Sequence, residues 1–197
     1  MLQHVPTIEG FKVLGRIVLL EQIGAGGMGV VYRGFRLDYG IEVAVKVLLP
    51  KLAADRDFIA RFCREAQAAL IITHQNVVRA YGVEQGHGLW FFVMELVDGE
   101  STRQRVKQHG RLRPREALVA ITGIAAGLAE AHREGLVHRD IKPANLLIAS
   151  SGRVKLADLG LVHAAMDAHA PSQTGTPFGG VGTPRYMAPE CWDGAAP

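Results

Sequence analysis

Cysteine is scarce in this chain, and its two copies, Cys63 and Cys191, lie far apart. They form no C-x-x-C pair and no disulfide framework, which suits a reducing compartment and gives a cytoplasmic expectation. Long apolar runs are also missing. Leu89–Met94 ends at Glu95 and Leu118–Ala129 is interrupted by Thr122, so both fall short of the roughly 20 residues a bilayer span needs. No membrane segment is expected within the chain; an anchor further downstream is a separate question. The opening MLQHVPTIEG has no basic stretch followed by an apolar core, so no secretory signal is expected from it. Charge of one sign is not in excess: 22 Lys+Arg against 19 Asp+Glu leaves +3, too weak to argue for a nucleic-acid partner. No G-x-x-x-x-G-K-[ST] occurs, so a P-loop NTPase is unsupported. What is present is 197 residues with 48% hydrophobic and 21% charged side chains. That describes a globular chain of one domain or two closely packed lobes and argues against disorder.

The pattern along the chain begins strand-rich. Residues 1–15 read as an irregular lead-in. Ile17–Ile23, Val30-Val31-Tyr32 and Ile41–Leu49 are β-type runs, the last two separated by the turn Asp38-Tyr39-Gly40. Asp55–Ile72 reads as a helix from the i, i+4 pairs Phe58/Phe62 and Ala66/Leu70. Asn76–Glu84 and Gly88–Leu96 read as strands, Gly99 as a break, and Ser101–His109 as a short polar helix. A longer helix, Arg115–Glu134, starts after Pro114 and stops at Gly135, with Leu118, Ile121, Leu128 and Ala131 facing inward. Leu146–Ile148 and Val154–Leu156 flank a turn at Ser150-Ser151-Gly152; residues 161–187, rich in Gly, Thr, Pro and Ser, read as one long loop.

Gly24-Ala25-Gly26-Gly27-Met28-Gly29 fits G-x-G-x-x-G. The same letters mark dinucleotide-binding loops, but those open a helix, whereas Gly29 runs into β-branched and aromatic residues that favour a strand. A dinucleotide-dependent oxidoreductase is therefore disfavoured. A strand-turn-strand hairpin of this kind brings backbone N–H groups close to phosphates, or is a glycine-rich hairpin without a ligand. On the third strand, Val43-Ala44-Val45-Lys46 ends an apolar run in a cation, and Glu65 on the following helix is its candidate anionic partner, with Arg61 as a competitor for that glutamate. His138-Arg139-Asp140-Ile141-Lys142-Pro143-Ala144-Asn145 carries H-R-D-x-K-x-x-N. There Asp140 would orient and deprotonate a hydroxyl, Lys142 would sit on a transferring phosphate, and Asn145 would hold a metal ion. Thirteen residues after Asn145 comes Asp158-Leu159-Gly160, and Ala188-Pro189-Glu190 closes the long loop.

In this order and spacing the motifs resemble those of eukaryotic-type (Hanks-type) serine/threonine protein kinase catalytic domains, particularly the bacterial ones, over about residues 16–193. The resemblance implies an α+β, two-lobed fold: an N-lobe at 16–94, a hinge at 95–99 and a mainly helical C-lobe from 100 to 197 that stops after A-P-E. It implies ATP and Mg²⁺, the metal held by Asn145 and Asp158, and phosphoryl transfer to Ser/Thr hydroxyls of protein substrates. Val31 and Ala44 match residues above adenine and Leu147 the one below; Met94 matches the gatekeeper, and Glu95–Val97 the backbone that meets adenine. Each of these has a plain reading as core. Arg139 matches part of a pocket for a phosphate on the activation loop, where Ser172, Thr174, Thr176 and Thr183 lie. Thr174 and Thr176 are the candidate phosphate acceptors, whereas Thr183 is expected to bond near Asp140. Self-association for trans-autophosphorylation follows as a partner expectation. Leu159 stands where the family has Phe, and Gln75 where it has Pro. The later helices of the C-lobe are not in the sequence, so low transfer activity and a tendency to associate are expected of the chain by itself. The rival reading is a non-enzymatic nucleotide-binding or scaffolding remnant. Finally, Arg103, Arg105, Lys107, Arg111, Arg113 and Arg115 occur with no acidic residue between them. This stretch is read as a solvated face, with acidic substrates or nucleic acid as the alternatives.

Overall fold

The computed structural model describes residues 2–159 and 184–186. They divide into two compact units: residues up to Leu70 together with Arg79–Leu96, and Ile71–Val78 together with the chain from Val97 onward.

The first unit is an antiparallel sheet with a helix on one face. Its strands are β1 (Thr7–Ile8), β2 (Phe11–Leu14), β3 (Ile17–Ala25), β4 (Gly29–Arg36), β5 (Ile41–Leu48), β6 (Ala80–Gly86) and β7 (Leu89–Glu95). Their order across the sheet is β1-β2-β3-β4-β5-β7-β6. The expectation that residues 1–15 form an irregular lead-in is corrected here. Glu9 and Gly10 both take positive φ and turn β1 back onto β2, whose Lys12, Val13 and Leu14 then pair with β3. The strand alternation is strongest in β5. Val43, Val45 and Val47 point into a core with Leu14, Ile17, Phe91 and Val93, all fully buried. The intervening Ala44 and Lys46 share the opposite face with their cross-strand partners. On that face lies α2 (Arg56–Ala69), preceded by the short α1 (Pro50–Ala53). Asp55, at the N-cap, accepts from the backbone N–H groups of Asp57 and Phe58 at 2.9 and 3.0 Å. Phe58 and Phe62 of α2 stack, and Phe62 meets the ring of Phe92 on β7 edge-on at 6.4 Å.

The second unit contains β8 (Gly99–Ser101), α3 (Thr102–His109), α4 (Pro114–Arg133), a 3₁₀ turn at Pro143–Asn145, β9 (Leu146–Ala149) and β10 (Val154–Leu156). Its small sheet runs β10-β9-β8. Ser101 caps α3 reciprocally with Gln104. The predicted strand at Asn76–Glu84 starts only at Ala80. The residues before it belong to this second unit, where Val77 bridges Leu156 in parallel and the Asn76 amide donates to the Val154 carbonyl at 2.7 Å.

The inward face of α4 also differs from expectation. Leu118 and Ile121 are 66% and 67% exposed, while Ala120, Ile124, Gly127 and Ala131 are buried. The cause is how closely the backbone passes α4. A Cβ on Gly127 would lie 2.9 Å from the Asn76 carbonyl oxygen, and one on Gly123 2.8 Å from the Asn76 side chain. Where Asn76 passes, only glycine fits, at positions 123 and 127; that side of α4 faces the core together with Ile124, and Leu118 and Ile121 face away. Among the described residues no helix is long and apolar enough to cross a membrane.

Candidate active site

In the first unit the glycine segment is the turn of the β3–β4 hairpin. Gly24 and Ala25 pair with Val31 and Val30. The turn is closed by reciprocal backbone bonds, Gly26 N–H to the Gly29 carbonyl at 2.9 Å and Gly29 N–H to the Gly26 carbonyl at 3.3 Å, with Gly27 and Met28 between them. No helix follows Gly29, in keeping with the strand read from Val30-Val31-Tyr32. The glycines have different reasons to be there. A Cβ at Gly29 would lie 2.1 Å from the Val47 carbonyl oxygen, so the sheet itself demands glycine. A Cβ at Gly26 or Gly27 would meet nothing within 4 Å; there the bare backbone is open to whatever approaches the turn.

Lys46 sits on β5 between Val31 and Phe92 and is only 7% exposed. Burying an ammonium is costly without a partner, and neither Lys46 nor Glu65 on α2 lacks one. Ala44 and Met94 lie opposite each other and are buried, and Val31 is half-buried on the same face. Glu95 is tied to Arg79 through two bonds: its backbone N–H donates to the Arg79 carbonyl at 2.9 Å and its carboxylate accepts from the Arg79 N–H at 3.1 Å.

In the second unit, residues 138–145 form a hydrogen-bonded loop. His138 is 1% exposed. Its Nε2 is 2.9 Å from the Ala157 carbonyl, and its Nδ1 accepts from the Asp140 backbone N–H at 3.2 Å. One nitrogen must donate and the other accept, which fixes the neutral tautomer. Burial holds the imidazole below its ordinary pKa, against the carboxylates of Asp158 and Asp140. The Asn145 side-chain N–H₂ donates to both the backbone carbonyl and the carboxylate of Asp140, at 2.9 and 3.0 Å. The Lys142 ammonium is 2.5 Å from the same carboxylate. Asp140, Lys142 and Asn145 are thus brought together, and Asp140 is held by three neighbours. The Asn145 amide oxygen takes no part in these bonds and is the right kind of donor for a hard cation. Arg139 and Asp158 both adopt positive φ, +62° and +61°, uncommon for residues with a Cβ and a cost borne most often at functional positions. Arg139 Nε is buried with no hydrogen-bond partner among the described residues. Leu147, on β9, points away from the core that takes Ile148, and Leu159 is buried in that core. Val97 is half-buried at the start of this unit's second segment.

Two positioning residues escaped the sequence reading. Thr102 donates its hydroxyl to the Pro143 carbonyl at 2.8 Å, tying α3 to the loop. The Ala157 carbonyl anchors His138. The Ser101-x-x-Gln104 capping pattern was the signal that fixes Thr102 at the first turn of α3. Ser172, Thr174, Thr176, Thr183, Gly160 and Ala188-Pro189-Glu190 lie outside the described residues.

A buried lysine on a strand beside a glycine turn, and in the second unit an H-R-D loop locked to an Asn and followed by a strained Asp, mark a protein of the kinase-domain class. The family model for the protein kinase domain matches residues 17–196, and the chain belongs to that family. It is 37% identical over 181 residues to serine/threonine-protein kinase PrkC of Bacillus subtilis, covering 92% of this chain and 27% of PrkC. It is 40% identical over 186 residues to serine/threonine-protein kinase PknA of Mycobacterium tuberculosis, covering 92% and 42%. The crystal structure of the Mycobacterium tuberculosis PknI kinase domain matches with a TM-score of 0.74 at 28% identity, over 97% of this chain and 71% of that one. The chain therefore spans less than half the length of these two curated relatives. The fold class is the α+β protein-kinase fold, with a β-rich N-lobe carrying one major helix.

Proposed function

We propose that this chain carries the catalytic machinery of a protein serine/threonine kinase, using ATP and Mg²⁺ to phosphorylate hydroxyls of protein substrates. The observation that carries the reading is the Asp140 carboxylate, held at once by Lys142 and Asn145. A carboxylate oriented this firmly is suited to accept the proton of a substrate hydroxyl as its oxygen bonds to phosphorus and the bond to the nucleotide's leaving oxygen breaks. Lys142 supplies positive charge beside that proton acceptor. In the first unit, the open backbone at Gly26 and Gly27 and the buried Lys46 are suited to nucleotide phosphates, with Glu65 as the anion that orients the lysine. Val31, Ala44 and Met94 on one sheet face, the Glu95 and Val97 backbone, and Leu147 are the candidate adenine contacts.

Asn145 and Asp158 would hold Mg²⁺, and their oxygen donors fit a hard cation. When bound, the ion neutralises charge that develops on the transferring group. Positioning and preorganised charge do the rest. Arg139, with its unpartnered buried Nε, is suited to receive a phosphate from Thr174 or Thr176. Autophosphorylation of the loop, in trans between two copies, is the regulation proposed.

The test is incubation with γ-labelled ATP, Mg²⁺ and a protein rich in serine and threonine, followed by phosphoamino-acid analysis and mass spectrometry of the chain. Label on serine and threonine, including Thr174 or Thr176, is expected. Nucleotide binding without any transferred label is the result of the rival reading, a non-enzymatic remnant, and would overturn this one.

A further inference from the structure

The basic stretch between residues 103 and 115 is not used by the phosphotransfer machinery. In the second unit it borders a cleft of about 800 Å³ enclosed by β8, α3, the start of α4 and the β9–β10 turn. That volume lies in the range of built ligand sites. None of its lining residues belongs to the motif set above.

One wall of the cleft is apolar: Val119, itself 56% exposed, with Ile148, Ala149 and Val154. The opposite wall is charged and ordered. Arg105 bonds Glu100 through Nε and Nη2 at 2.9 and 2.8 Å and reaches Glu116 at 3.4 Å. This arrangement leaves Glu100 Oε2 buried with no hydrogen-bond partner among the described residues. At the rim, Arg113 is 82% exposed even though it bonds Glu116, and Arg115 is exposed too.

We propose that this cleft docks an extended, acidic segment of a protein partner. An aliphatic side chain lies on the Val119 wall, and acidic side chains pair with Arg113 and Arg115 at the rim. Nucleic acid fits less well. Among the described residues no aromatic ring lines the cleft for a base to stack on. If the kinase reading holds, this docking recruits acidic substrates without altering the chemistry at Asp140; the binding itself does not depend on that reading.

The test is fluorescence anisotropy without ATP, using a labelled peptide of alternating glutamate, leucine and valine. A lysine-for-glutamate version of the peptide and a single-stranded RNA of equal length serve as the other probes. The acidic peptide is expected to saturate below about 1 mM and to bind more tightly than either alternative. Arg113→Glu/Arg115→Glu should weaken it at least tenfold, and Val119→Ser severalfold, with melting curves showing that both variants fold. The proposal is overturned by tighter binding of the RNA, by equal binding of the lysine peptide, by undiminished binding to folded Arg113→Glu/Arg115→Glu, or by no saturation. A chain that transfers phosphate but does not bind the peptide sinks the docking proposal alone. One that binds the peptide without transferring phosphate sinks only the kinase reading.

Discussion

Replacing Gly29 by alanine separates glycines required by the fold from glycines required by the ligand. The new Cβ would lie 2.1 Å from the Val47 carbonyl oxygen, 3.0 Å from its carbonyl carbon and 3.3 Å from Leu48 Cα, where ordinary contact begins at 3.4 Å. All three atoms are backbone of the paired strand, so no side chain can swing aside. The β4–β5 ladder at Gly29↔Leu48 and Val30↔Val47 must spread instead. Overpacking typically costs about 1–3 kcal/mol, and a clash with backbone belongs at the upper end. In a chain of this size each kcal/mol lowers Tm by roughly 2–4 °C. Gly26→Ala and Gly27→Ala meet open space and neither position has positive φ, so each should change stability by less than about 1 kcal/mol. Both should nevertheless weaken binding of a fluorescent ATP analogue about tenfold, ~1.4 kcal/mol, because a methyl group stands where phosphate approaches the backbone. Thermal melting and nucleotide titration of the three variants decide the matter. A Gly29→Ala protein that melts with the parent refutes the packing argument. Unchanged nucleotide affinity in Gly26→Ala and Gly27→Ala refutes the assignment of the turn to phosphates.

His138 is held neutral by burial, its pKa below the ordinary 6.5. The unfolded chain therefore takes up the proton first. The contribution of this group to stability is complete above pH 6.5 and declines as the pH falls through its folded-state value. Melting curves across this range should show that decline, and His138→Gln, which cannot titrate, should reduce it; an identical pH dependence in the variant would contradict the lowering of the His138 pKa by burial. Gly127→Val should destabilise by about 1–3 kcal/mol because its side chain meets the Asn76 carbonyl, whereas Leu118→Ser, at an exposed position, should stay within about 0.5 kcal/mol in urea titrations. Equal losses in the two would overturn the account of α4.

The motif residues were legible in the sequence because each combines a distinctive side chain with a fixed local geometry. The alternation of Val43, Val45 and Val47 placed Lys46 on a strand, and Gly29 followed by Val-Val-Tyr separated the hairpin from a helix-opening glycine loop. The misreadings came from long-range packing. Leu118 and Ile121 looked like a core stripe by periodicity, yet the approach of Asn76 to Gly123 and Gly127 turns the side of α4 that carries these glycines and Ile124 inward. Val77 lies in an apolar run that reads as the start of a strand, but its partner, Leu156, is distant in sequence. The β1–β2 turn rests on positive φ at Glu9 as well as Gly10, and nothing about a glutamate announces that. The cleft beside Arg105 was visible only as an acid-free stretch, because Glu100 and Glu116 come from either side of it in sequence.

The central claim is that Asp140 is the proton acceptor in a phosphoryl transfer. The direct measurement compares single-turnover transfer from labelled ATP by Asp140→Asn and its parent, with nucleotide affinity measured in parallel, in this chain or in any longer protein that contains it. Asparagine keeps the shape of the site but loses the charge that Lys142 addresses. The account predicts a rate lower by about 100- to 10,000-fold with nucleotide affinity nearly unchanged. Transfer at the parental rate in a folded Asp140→Asn protein would contradict it.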